Sequence, residues 1–156
     1  MILSVLIWLL QDIIQVVFMG IFLVPELFLL SLVFAGLRPE NEHRHSLSWY
    51  IAAGFVGGLL WDLRWTNLPG LTAALNGALL ALVFVVWHLI PAQGRNTKSF
   101  IACTLAVQIL SAAVHAMFWT ATSMTTLRLF AIQQLIGVAF IMLLGLVHKK
   151  AIYRHV

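Results

Sequence analysis

AAGFVGGLLWDLRWTNLPGLTAALNGALLAL, Ala52 to Leu82, brings an apolar run, clustered glycines, an acid and a restart of helix into one stretch. Gly54 and Gly58 are one helical turn apart, so on a helix they leave a bare stripe where a neighbouring backbone can approach closely. That stripe ends in charge, at Asp62 and then Arg64. Thr66-Asn67-Leu68-Pro69-Gly70 reads as a turn, because Pro69 biases Leu68 away from helix. Beyond it Ala73, Gly77 and Ala81 recur on one face, with Ala74 and Ala78 beside them. The stretch therefore predicts a hairpin of two closely paired helices. Gly54, Gly58, Asp62, Arg64, Gly70 and Gly77 are its candidate packing and partner-docking residues.

Composition sets the medium. The chain of 156 residues is 62% hydrophobic and only 9% charged, far below the ~25% charged residues of a soluble domain. With a mean hydropathy of +1.01 and no alternating ten-residue pattern of a membrane barrel, it reads as an all-α integral membrane protein. The net charge of +4 is spread over several loops and makes no basic face for nucleic acid. Cys103 is the single cysteine and cannot form an intramolecular disulfide. The first apolar run has no preceding Lys or Arg and no small-residue cleavage pattern, so it is expected to stay as a helix.

Six apolar segments follow from the pattern, at about 2–24, 26–37, 47–63, 71–90, 99–120 and 127–147, forming a single transmembrane helical domain. The first is long enough for the ~20 residues that span a bilayer. Gln11, Asp12 and Gln15 give it a polar side that should face protein rather than lipid. Pro25 and Glu26 open the second segment as a helix start, with Glu26 favourable near the N-terminus. That segment is short for a span, so it either tilts within the bundle or is a re-entrant piece buried by its neighbours. Arg38 to Ser46 reads as an aqueous loop, whose His43-x-His45 makes too weak a ligand set for a metal site. Trp49, Tyr50, Trp61, Trp65 and Trp87 fall near segment ends, as interfacial anchors do. In the fifth segment Thr104, Gln108, Ser111 and His115 form one polar stripe. The chain closes with a cationic tail suited to anionic headgroups.

If each segment crosses, seven of the nine Lys and Arg lie on the side of both termini and two, Arg64 and Arg128, on the other. This places the termini in the cytoplasm. No catalytic set, cofactor motif or metal motif is present: there is no zinc-binding helix signature, nucleophile turn or phosphate-binding glycine loop. Ser111 and His115 could touch, but the sequence shows no third member for them.

Gly58-x-x-x-Asp62-Leu63, then Gly70-Leu71 and Ala74-Leu75, resembles the signature region of the rod-shape-determining protein MreD family. Thr66 and Pro69 depart from that pattern. The resemblance implies a non-enzymatic scaffold of the bacterial inner membrane. Its expected partners are MreC and, directly or through it, a class B penicillin-binding protein and the polymerase RodA, in the machinery of cell elongation and peptidoglycan synthesis. It also implies a bundle resembling the S component of energy-coupling-factor vitamin transporters. A substrate-binding S component is itself the alternative reading, although Ile2 to Val24 contains no alanine for the Ala-x-x-x-Ala surface typical of that family's first helix. A proton- or ion-coupled transporter using Asp12 and His115 would need an internal repeat or inward-facing ion pairs, which the sequence does not display.

Overall fold

A computed structural model describes residues 2–18, 24–38, 44–65, 68–118 and 124–152. They form six α-helices and no strand: α1 (Ile2–Val17), α2 (Leu27–Gly36), α3 (Arg44–Trp65), α4 (Leu71–Leu89), α5 (Thr97–Phe118) and α6 (Met124–Ile152). A 3₁₀ turn, Ala92–Gly94, joins α4 to α5. Three stretches, Leu71–Leu89, Thr97–Met117 and Phe130–Lys150, are long and apolar enough to cross a membrane. The chain is a helical membrane protein. Large apolar side chains on the outer faces of α1, α4 and α6, among them Leu3, Leu6, Val85, Leu135 and Leu146, are exposed, as a lipid-facing surface requires.

The centre of the bundle is the shortest helix. α2 packs against all five other helices, and every residue from Phe28 to Phe34 is buried. Its ten residues make a helix of about 15 Å. A helix apolar all round belongs in a core, so protein encloses the second segment. Its companions in the core include Leu80 and Phe84 of α4, Phe100 of α5 and Ile141 of α6.

Boundaries moved where polar residues continue a helix. α3 starts at Arg44 and takes Arg44, His45 and Ser46 out of the expected loop, while residues 39–43, with His43, lie outside the described residues. α5 starts at Thr97 because the Asn96 carboxamide accepts hydrogen bonds from the amides of Lys98 (2.9 Å) and Ser99 (3.0 Å), the action of a helix cap. The expected basic tail is helical through Ile152. α1 ends at Val17, and the remainder of the first segment, 19–23, is outside the described residues.

Two expectations are corrected. Trp87 is no interfacial anchor: it is buried in the core, edge-on to His148 at 6.3 Å. The small-residue face of α4 is tight only at its start. Ala73 is fully buried, but Ala74 and Ala78 are exposed and Gly77 leaves ordinary contact distance to Phe55.

Candidate functional site

The hairpin lock lies where α3 ends and α4 begins. A Cβ added to Gly58 would stand 2.7 Å from the Ala73 Cα and amide nitrogen and 2.8 Å from the Thr72 carbonyl carbon. The two backbones are therefore in direct contact, which only glycine permits. One turn on, the Asp62 carboxylate is wholly buried and accepts hydrogen bonds from the amides of Gly70 (3.0 Å) and Ala73 (3.2 Å). A negative charge from α3 thus satisfies the amide-rich N-terminus of α4. Gly70 supplies the turn, at φ +94°, in a region costly for other L-residues. Gly54 faces the Leu80 side chain, and Gly57, which the four-residue spacing passes over, faces Phe28 of α2.

α1 is tied to the same end. Asp12 is buried, accepts the Trp65 indole N–H at 2.9 Å and pairs with Arg64 at 3.1 Å. The expected polar side of α1 does face protein. Gln11 is buried too, and its Oε1 accepts the Phe28 amide at 2.9 Å, so the first turn of α2 is capped from α1. Gln15 is half-buried. Glu26 stands at the N-terminus of α2, as expected, but its carboxylate makes no capping bond and turns toward α5.

There the carboxylate accepts the Ser111 hydroxyl at 2.7 Å and faces His115 Nδ1 at 3.0 Å. His115 Nδ1 is also 3.0 Å from the Ser111 carbonyl oxygen. Both neighbours are acceptors, so Nδ1 carries the proton. The far nitrogen, Nε2, lies 3.3 Å from the Thr72 hydroxyl. The polar stripe of α5 is turned inward, with Thr104, Gln108 and Ser111 all buried. Thr104 bonds the Phe100 carbonyl at 2.8 Å. Gly137 of α6 makes room for Gln108, whose Nε2 would be 2.6 Å from a Cβ there.

Hydroxyl, imidazole and carboxylate thus follow one another in Thr72, His115 and Glu26, the order of a nucleophile relay. Two facts describe its setting. Thr72 is buried, and the amides of Gly70 and Ala73 beside it are already held by Asp62, where an anionic intermediate would need free donors. The cluster ties α2, α4 and α5 together. Sequence spacing marked Ser111 and His115 but passed over Thr72 and the inward turn of Glu26. Partners drawn from three helices leave no periodic trace in one.

No protein-family model, curated protein or solved structure matches the chain.

Proposed function

We propose that the protein is a non-enzymatic scaffold of the MreD type, acting in the bacterial inner membrane within the cell-elongation machinery. The observation that carries this reading is the hairpin lock. Gly58, Asp62 and Gly70, the residues of the resemblance, meet in one structural unit in which each has a physical task. The spacing thus describes a close pairing of α3 with the start of α4. In this reading the six helices form a bundle resembling an S component, with the short α2 inside it carrying the chain from one side to the other and both termini cytoplasmic, as the seven-to-two bias of Lys and Arg favours.

A closely packed hairpin offers a defined surface. Val56, Leu60 and Leu63 form an exposed apolar stripe along the outside of α3, suited to a single-span partner such as MreC. Through MreC, or directly, the scaffold would engage a class B penicillin-binding protein and RodA. Lateral docking would bias where wall synthesis is active.

A transporter S component is the second reading. It is favoured by two buried acceptors without partners, Glu26 Oε2 and Asn76 Oδ1, which a donor-bearing small molecule could satisfy.

Affinity purification of the tagged protein from its native membrane in mild detergent separates the two. Recovery of MreC and wall-synthesis enzymes, reduced by Leu60→Ala with Leu63→Ala, supports the scaffold. Recovery of an ATPase pair with a coupling subunit, or of a bound vitamin-sized molecule, overturns it.

A further inference from the structure

The end of the bundle opposite the hairpin lock has a different chemistry. There α2, α4 and α6 finish and α5 begins. Arg38, Arg95, Lys98, Lys149 and Lys150 all lie toward that end, whereas the described acids, Asp12, Glu26 and Asp62, all lie toward the other. Glu40 and Glu42, in the loop that leads from Arg38 to Arg44, lie outside the described residues.

Two of its donors are buried and unanswered. His148 is 1% exposed, and neither of its ring nitrogens has a hydrogen-bond partner. Its ring stacks on Phe100 with centroids 4.4 Å apart and meets the edge of Trp87. The Leu37 backbone and the Arg38 charge both lie near the ring, but the backbone is not in bonding geometry with either nitrogen. The Arg38 guanidinium sits over the Phe34 ring at 4.6 Å, and its Nε is also buried without a partner. Phe34 in turn meets the edge of Phe100 at 6.0 Å, so the two donors flank one aromatic pair. An unpaired buried donor costs free energy that an acceptor recovers.

We propose that Arg38 and His148 form a binding site for the phosphate of an anionic lipid headgroup. Arg38 supplies the fixed charge, its Nε–H and one His148 ring N–H supply directed hydrogen bonds, and Lys149 and Lys150, exposed on the next positions of α6, add attraction. The position argues for a lipid over a free anion. His148 closes an apolar span, and the residues just before it, Leu146 and Val147, are exposed apolar side chains. A phosphate there stands where acyl chains begin. The site does not depend on the scaffold reading, since it uses neither the hairpin nor a partner.

The test is thermal unfolding of the purified full chain in a neutral detergent, titrated with phosphatidylglycerol, phosphatidylcholine or inorganic phosphate. Phosphatidylglycerol should raise the midpoint and phosphatidylcholine should not. Arg38→Gln and His148→Phe should each weaken the apparent lipid affinity by about tenfold, the scale of one charge-assisted hydrogen bond. His148→Phe retains the stacking on Phe100, so it tests the nitrogens without removing the ring. The paired change Lys149→Gln with Lys150→Gln should weaken binding less than either. An unchanged phosphatidylglycerol response in His148→Phe overturns the site. An equal response to inorganic phosphate, or to phosphatidylcholine, overturns the lipid assignment.

Discussion

Gly58 of α3 and Ala73 of α4 touch backbone to backbone: a methyl group added at Gly58 would lie 2.7 Å from the Ala73 Cα. Neither atom belongs to a movable side chain, so the helices themselves must part. Gly58→Ala is expected to destabilise the protein by about 1–3 kcal/mol, the usual cost of overpacking. Gly77→Ala, on the facing helix, meets only ordinary contact with Phe55 and is expected to change stability by less than about 1 kcal/mol. Thermal unfolding in one detergent compares the pair.

Asp62 answers two amides at once. Asp62→Ala leaves both without that acceptor, one buried and one half-buried, and is expected to cost about 2–6 kcal/mol, one unpaired donor being worth about 1–3 kcal/mol. Asp62→Asn keeps an acceptor oxygen but loses the charge, and should recover part of that loss. Hydrogen exchange at the Gly70 and Ala73 amides reads the effect locally, with faster exchange expected in Asp62→Ala.

Gln11 reaches the first turn of α2 from another helix. Gln11→Leu should remove the acceptor without leaving a void and cost about 1–2 kcal/mol, the scale of a lost helix cap. The loss should fall on the packing of α1 against α2, measurable as faster proteolysis of the α1 to α2 connection.

The ion pair of Asp12 with Arg64 has one partner in solvent, the Arg64 side chain being 56% exposed. Arg64→Gln is therefore expected to cost less than about 1 kcal/mol. Asp12→Ala removes the acceptor of the Trp65 indole as well and should cost clearly more. Equal losses in the two variants would assign the whole effect to the charge pair.

The hairpin was legible in the sequence because its determinants are local. Gly58, Asp62, Pro69 and Gly70 lie within a dozen or so positions, and each carries a backbone constraint that survives outside tertiary context. The inward polar stripe of α5 was legible for the same reason, as one helix has one periodicity. The role of α2 was open, since an apolar run of its length fits a tilted span or a buried core helix equally. Its enclosure depends on five neighbours. The inward turn of the Glu26 carboxylate was not legible because its partners, Ser111 and His115, come from another helix. Trp87 was misread because position near a segment end indicates depth in the membrane, not which side of the helix faces lipid.

The most direct test of the scaffold account is site-specific photo-crosslinking in native membranes, with the probe placed in turn at Leu63 on α3 and Leu146 on α6, both exposed to the surroundings. The account expects a discrete adduct with a single-span MreC-type protein from Leu63 and lipid adducts from Leu146. Lipid adducts alone from Leu63, in a protein that is inserted and folded, would contradict it.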